Sequence, residues 1–328
     1  MLDIIVTHYN EPWETGEKLF DILNLQRGID MDRFRVLIIH DGTEPFPEKN
    51  FERYKYKIEQ IRIPHGGISA ARNAGIQFAQ ADWIMFCDFD DTFVNIYAIR
   101  DVLSVIPCEC DMLWTELLVE DRLHGKDTIY DTPERQQFVF IHGKVYRKRF
   151  LIEQRIRFDE SMTFQEDSLF NATIIARTDY RRIGKINAPI VPYVWIRRQG
   201  STTNSGRDDE ATYWHFRRNL MVTAENEGNP DKYAGMVTRT CYDTYFMCVG
   251  IRTGKEMKKK IADEFRPWII PRIGEFGKVG DDIMQQLVDV SEYELLGPDE
   301  KVPDDPQTVL DWIYEIIREG NNDGNLHD

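Results

Sequence analysis

The sequence predicts an α/β domain with a mostly parallel central sheet, followed by an all-helical region, and three observations predict it. Apolar runs of strand length alternate with helical patterns through the first half of the chain. Each run empties into a polar or glycine-rich segment, as strands do at the carboxyl rim of an open sheet, where such folds bind ligands. From about Asp208 onward helix follows helix, with breaks at Gly228-Asn229-Pro230, Pro267, Pro271 and Gly297-Pro298. The reading is therefore a domain over 1–205, with a nucleotide half at 1–95 and an acceptor half at 96–205, and a helical domain over 206–328.

The elements follow in order. Residues 2–8 read as a buried strand, broken by Asn10-Glu11-Pro12-Trp13 before the helical pattern Leu19, Phe20, Ile22, Leu23. Residues 35–40 are a second strand, stopped by Asp41-Gly42-Thr43, and strand, helix, strand at this spacing is a right-handed crossover. A third strand at 58–63 runs into Pro64-His65-Gly66-Gly67, and Ser69 is the expected cap of the next helix. The fourth strand, 83–87, ends in Asp88-Phe89-Asp90-Asp91. Beyond it the pattern predicts a helix at 96–105, one strand over 111–119, a hairpin-like connection at Gly125-Lys126-Asp127, a helix ending near Glu153, a helix opening on Glu166-Asp167, and a strand at 191–196. Helices are expected near 213–224, 233–249, 257–270, 283–290 and 309–317, with Tyr242, Tyr245 and Phe246 as core.

Composition bounds the function classes. A chain of 328 residues with 42% hydrophobic content sustains a sizeable core. The formal charge of −15 is uneven: residues 208–328 carry 25 acidic against 14 basic side chains. Such a region repels phosphate backbones, which disfavours double-stranded DNA as a main partner. The five cysteines form no zinc-site spacing and fit a reducing compartment. No window has the pattern of a secretion signal or the length of a membrane span, so the expectation is a soluble, cytoplasmic protein.

The chemistry concentrates at strand ends. Three carboxylates within four positions after an apolar strand are costly to bury unpaired, so they belong at the sheet rim. Asp88 and Asp90 are two apart; in an extended segment their oxygens point the same way, and with Asp91 they suit a hard divalent cation carrying phosphates. Asp41 offers an acceptor to a base, and Arg72, after Gly66-Gly67, a guanidinium to base or phosphate. Glu166 and Asp167 lie in the first turn of a helix, where its dipole stabilises negative charge; one of them is a candidate general base. The dull alternatives are turns, caps and an ordinary helix-surface charge at Arg72. His142 and Lys144 are candidates for an acceptor or a phosphate.

The ordered set resembles glycosyltransferase family 2, inverting nucleotide-sugar enzymes with the GT-A fold. The pieces that carry the resemblance are 4–10, Ile38-Ile39-His40-Asp41-Gly42-Thr43, Gly67 with Ala71-Arg72-Asn73-Ala74-Gly75, Asp88-Phe89-Asp90-Asp91, Gly143-Lys144-Val145-Tyr146-Arg147, Glu166-Asp167 and the loop at 197–203. The resemblance implies that Thr7, Tyr9, Asn10 and Asp41 hold uridine, with Arg72 near base or phosphates. It implies Asp88 at ribose or metal, Asp90 and Asp91 at Mn²⁺ or Mg²⁺, Asp167 as catalytic base with Glu166 beside it, and Arg198, Ser201 and Thr203 closing on the diphosphate. The chain departs from the family at His40, where an acid is usual, and at Gly66, where Asn is common. The Gln-x-x-Arg-Trp element of processive synthases is absent, which implies single sugar additions.

The expected activity is thus transfer of a hexosyl or N-acetylhexosaminyl group from a UDP-sugar to a hydroxyl of a saccharide, polymer or other acceptor. A sugar nucleotidyltransferase is the enzymatic alternative, but its basic glycine-rich loop is missing after the first strand. A non-catalytic scaffold that kept the nucleotide fold is the other. The helical region is free to make a homo-oligomer or an acceptor site.

Overall fold

The computed structural model describes residues 1–106, 108–115, 117–122, 129–131, 139–185, 193–197, 208–280, 283–286 and 305–323. The chain divides into two compact units, Met1–Ser205 and Gly206–Asp328.

In the first unit the elements run β1 (Leu2–His8), α1 (Trp13–Asn24), β2 (Phe34–Asp41), β3 (Lys57–Ile63), α2 (Gly67–Phe78), β4 (Trp83–Asp88), β5 (Thr92–Phe93), α3 (Ala98–Val105), β6 (Met112–Trp114), β7 (Leu117–Asp121), β8 (Ile129–Asp131), β9 (Lys144–Arg147), α4 (Lys148–Glu153), α5 (Glu166–Arg177), β10 (Ile183–Lys185) and β11 (Tyr193–Arg197). Seven strands form the main sheet in the order β10-β6-β9-β4-β1-β2-β3. β9 runs antiparallel to β4 and β6, and every other neighbouring pair is parallel.

The alternation of side chains along each strand feeds two separate cores. Leu2, Ile4, Val6, Phe34, Val36 and Ile38 pack with Leu19, Phe20 and Leu23 of α1 and Ile99 and Val102 of α3. Ile5, Leu37, Ile39, Ile84 and Phe86 pack on the other face with Ala71 and Ile76 of α2 and Phe170 and Ile174 of α5. The sheet is therefore buried on both sides, which is why its strands read as continuous apolar runs. Every strand of the parallel half delivers its last residue to one edge.

Two expectations are corrected. The run at 111–119 is two strands, β6 in the main sheet and β7 in a second sheet of order β5-β11-β7-β8. Thr115 marks the bend: its N–H and hydroxyl both donate to the Gly143 carbonyl, 2.9 and 2.7 Å. Its backbone polarity is satisfied sideways, so the ladder need not continue. Ser69 is not the cap of α2, which starts at Gly67; its hydroxyl is buried without a partner among the described residues. The connection at 125–127 lies outside the described residues.

The second unit is built from α6 (Asp208–Glu225), α7 (Pro230–Val249), α8 (Lys255–Ile269) and α9 (Pro306–Asp323). Asn229 caps α7 by accepting the Lys232 N–H, with Pro230 in the first turn, where a missing N–H costs nothing. Phe216, Tyr242, Tyr245, Phe246, Ile261, Phe265, Val309 and Ile313 form its core, so the aromatic stripe is core as expected. Residues 283–286 are helical, and the rest of the helix expected there lies outside the described residues. No described helix is long and apolar enough to cross a membrane.

The amino edge of the sheet is locked by one buried ion pair. Arg35 of β2 donates to both oxygens of Asp3 on β1, at 3.0 and 2.7 Å, and reaches Glu59 on β3 at 2.5 Å. Asp3 also accepts the N–H groups of Gln80 and Ala81, which pins the turn into β4. Burial works against ionisation of Asp3, but Arg35 and the two backbone donors hold its carboxyl below the usual range. Its contribution is present at neutral pH and lost as pH falls through that lowered value. Asp3→Ala leaves Arg35 a buried cation with only half-exposed Glu59, and is expected to lower unfolding free energy by about 3–5 kcal/mol in urea titrations at pH 7, with a smaller loss at acid pH.

Candidate active site

The carboxyl edge collects the side chains that the strand ends deliver. Thr7 lies opposite Asp88 in register, and His8 opposite His40. Asp41, next along β2, accepts the Gly66 and Gly67 N–H groups at 2.7 and 2.9 Å, and His65 Nδ1 lies 2.9 Å from the same carboxylate. Asp41 thus supplies, from a neighbouring strand, the cap that α2 lacks locally. Gly42 has φ +78°, and a Cβ there would meet His65 Cβ at 2.6 Å, so this close approach requires glycine. Asn10 adopts φ +62°, a conformation Asn tolerates, and so turns the chain after β1. Tyr9, beside it and half exposed, stacks on His65 with centroids 4.5 Å apart and planes 16° apart. Tyr9, His65 and Asp41 are therefore linked by stacking and hydrogen bonding at this corner, with Asn10 in the adjoining turn.

Beneath that corner two histidines are buried together. His8 Nδ1 and His40 Nδ1 are 2.9 Å apart, His40 Nε2 lies 2.9 Å from Gln60 Oε1, and His8 Nε2 lies 2.8 Å from the Glu11 carbonyl. The Phe46 backbone orients the Gln60 amide, donating to Oε1 and accepting from Nε2. Gln60 Oε1 is an acceptor, so His40 carries its proton on Nε2. Burial, then the neighbouring His8, push His40 down to about 4. Its departure from the family's usual acid places a neutral, hydrogen-bonded ring under the rim.

Arg72 is the centre of the site. It emerges from the second turn of α2 and is only 3% exposed, so it is not a surface charge. Nη1 donates to Asp167 Oδ1 at 2.5 Å and Glu166 Oε1 at 3.0 Å; Nη2 reaches Asp88 Oδ1 at 3.5 Å. The guanidinium also lies over the Phe158 ring, 5.3 Å from its centroid. Burial opposes its charge, but Asp167, Asp88 and Glu166 outweigh that and keep it cationic. Glu166 and Asp167 open α5, where Gln165 at φ +65° turns the chain in. Burial, then adjacent Asp167, raise the Glu166 carboxyl well above the usual range, with Arg72 opposing.

The aspartate cluster differs from the extended geometry expected of it. β4 ends at Asp88, and the Asp91 N–H donates to the Asp88 carbonyl at 3.1 Å, so the chain turns through Phe89 and Asp90. Phe89 is buried against His8 and Phe46, which anchors the turn. The residue folded beside Asp88 is therefore Asp91, three positions on. Asp91 is 1% exposed and accepts the Tyr193 hydroxyl and the Ile196 N–H from β11; Asp90 stays half buried. Tyr193 in turn accepts the Asp88 N–H at 3.1 Å. Nothing in its apolar strand context signalled Tyr193, and His65 was legible only as a turn residue.

His142 sits in the turn before β9, ahead of Gly143 at φ +67°. Its Nε2 is 3.1 Å from Asp88 Oδ2 and 3.9 Å from Asp91 Oδ2. Ligand atoms of Asp88, Asp91 and His142 all lie within 4.8 Å of one another, a donor set that fits a divalent cation. Burial opposes ionisation of Asp88, but His142 and Arg72 hold its carboxyl far below the usual range; burial, then Asp88 and Asp90, push Asp91 well above it, with His142 opposing. Lys144 is buried, donates to the Phe140 carbonyl and is lowered to about 7 by burial, with Asp167 opposing. Arg198, Ser201 and Thr203 lie outside the described residues.

Residues 3–106 match the family described as Glycosyl transferase family 2. That stretch holds β1 to β4 and the strand-end aspartates. It is 27% identical over 201 residues to the uncharacterized glycosyltransferase EpsJ of Bacillus subtilis (strain 168), covering 52% of this chain and 55% of EpsJ. It is 23% identical over 300 residues to the poly(ribitol-phosphate) beta-N-acetylglucosaminyltransferase TarS of Staphylococcus aureus (strain MW2), covering 87% of this chain and 50% of TarS. The chain thus spans about half the length of these curated relatives. The fold of S. aureus TarS 1-349 in complex with UDP matches with TM-score 0.58 at 17% identity, over 100% of this chain and 93% of that one. A further TarS structure, with UDP-GlcNAc, matches at TM-score 0.56 and 17% identity, over 97% and 88%. These matches show the fold, GT-A with a mostly parallel sheet and a helical carboxyl-terminal region.

The His40 environment has a measurable consequence. Between its ordinary value near 6.5 and the folded value of about 4, the unfolded chain binds a proton that the folded chain does not, so stability falls as pH drops through that window. The loss attributable to His40 is expected to reach about 3 kcal/mol by pH 4. Urea unfolding of the wild type and His40→Asn at pH 7, 6, 5 and 4 checks it, with a shallower slope expected for the variant.

Proposed function

We propose that this chain is a family 2 glycosyltransferase that moves one sugar from a UDP-sugar to a hydroxyl acceptor by single displacement with inversion. The observation that carries the reading is Arg72: one buried guanidinium bonds Asp167 and also reaches Asp88, so a candidate base and a strand-end carboxylate are held on one side chain. TarS structures with UDP and with UDP-GlcNAc support a uridine donor and make UDP-GlcNAc the first to test.

In this reading Tyr9, Asn10 and Asp41 hold the base, with Thr7 beside Asp88 at the ribose and diphosphate. Asp88, Asp90 and Asp91 hold Mn²⁺ or Mg²⁺, which when bound supplies Lewis-acid stabilisation of the departing diphosphate. Asp167, ordered by Arg72 and the start of α5, takes the proton of the acceptor hydroxyl as that oxygen attacks the anomeric carbon from the face opposite the diphosphate. Glu166 shares Arg72 and keeps a second charge beside Asp167 in check by retaining its proton more readily. Lys144 sets the acceptor-side wall near Asp167. The resemblance gives Arg198, Ser201 and Thr203 contacts to the diphosphate.

Asp167→Asn is expected to lower turnover about 10²–10⁴-fold while UDP binding by calorimetry changes little, whereas Glu166→Gln should cost under about tenfold. Unaltered transfer by Asp167→Asn, with UDP-GlcNAc and a competent acceptor, would remove Asp167 from the mechanism. Transfer lost equally in both variants would move the base role to the pair.

A further inference from the structure

We propose that His142 is a nitrogen ligand of the divalent cation held by the strand-end aspartates, adding to the oxygens of Asp88 and Asp91 an imidazole donor that favours Mn²⁺ over Mg²⁺. The inference rests on the reading of the strand-end aspartates as a cation site and says which atoms hold the ion.

The distances carry it. An octahedral ion with bonds of about 2.1–2.2 Å separates adjacent donors by about 3 Å and opposite donors by about 4.3 Å. His142 Nε2 and Asp88 Oδ2 are 3.1 Å apart, an adjacent pair, and His142 Nε2 and Asp91 Oδ2 are 3.9 Å apart, a widened one. All three ligand atoms lie within 4.8 Å of one another, so side-chain adjustments of a few tenths of an ångström bring them around one ion. The remaining positions are left for Asp90, water or the diphosphate, as an open catalytic site requires.

The ring is held for this task. Thr115 bonds the Gly143 carbonyl and fixes the turn behind His142, while Tyr193 and Trp195 stack on the imidazole at 5.1 and 6.1 Å. Tyr193 also donates to Asp91, so one aromatic residue sets the direction of two of the three ligands. His142 Nδ1 is buried with no partner among the described residues. That atom is the one that must carry the proton when Nε2 binds a metal, and its apolar stacking leaves Nε2 as the ring's polar face. Mg²⁺ prefers oxygen and retains its waters, whereas imidazole suits the transition metals, which gives the direction of the selectivity.

Pulsed EPR of Mn²⁺ bound to the full chain with UDP tests this. The expected signal is ¹⁴N modulation from a directly bound imidazole, replaced by the ¹⁵N pattern when the chain is made with ¹⁵N-histidine, and lost in His142→Ala. Calorimetry is expected to show Mn²⁺ affinity falling about 10–100-fold in that variant and Mg²⁺ affinity changing under about threefold. Isotope labelling of the wild type needs no variant, so a His142→Ala chain that fails to fold leaves the question answerable. Bound Mn²⁺ without nitrogen modulation would overturn the His142 assignment while keeping the aspartate site. No Mn²⁺ bound even with UDP would overturn the cation reading itself, and with it this inference, in favour of an imidazole that only pairs with Asp88.

Discussion

A guanidinium withdrawn from water must be met by carboxylates, and the placement of Arg72 dictates much of the first unit. Its charge would be costly to bury alone, and three carboxylates from two elements converge on it: Asp88 from the end of β4, Glu166 and Asp167 from the start of α5. Removing any one leaves the others in imbalance. The result is that a strand end and a helix start far apart in sequence are held at a fixed separation. The chemistry proposed for the chain needs that separation, because the base must wait where the leaving group is being neutralised.

The same economy recurs along the rim. Asp41 caps α2 and, with its remaining lone pairs, still faces the corner made by Tyr9 and His65. Asp91 ties β11 of the second sheet to the end of β4 through Tyr193 and Ile196. His142 closes the arrangement from the turn before β9. Each of these side chains has a structural partner on one side, which orients the other side before any ligand arrives; preorganisation of this kind is what makes polar groups effective at a reacting centre. A cluster of acids at a sheet rim is thereby stable enough to exist, since Asp41, Asp88 and Asp91 are each bonded to the scaffold.

The fold was largely legible because a doubly covered parallel sheet announces itself through apolar runs ending in polar residues. β1 to β4 and the helices between them follow that rule. The bend at Thr115 was not legible: 112–114 and 117–121 are equally strand-like, and only competition between β9 and β11 for pairing partners separates them. Ser69 misled for a related reason: Asp41, distant in sequence, accepts the Gly66 and Gly67 N–H groups and lets α2 start two residues earlier, whereas the sequence shows only the local cap.

The acids proposed for the site, Asp88, Asp90, Asp91, Glu166 and Asp167, were visible as clusters, although turns, caps and a helix dipole are ordinary uses for each; their order along the chain is what pointed to a site. The sequence alone determined which residues carry charge and which elements present them. Only the tertiary structure decided their partners. It folded Asp91 rather than Asp90 beside Asp88, buried Arg72 as the counter-charge of three acids, and turned His142 onto Asp88. Local pattern specifies where a side chain leaves its strand or helix; which other charge it meets depends on how two sheets and several helices pack, and that is set by apolar surface distributed over the whole unit.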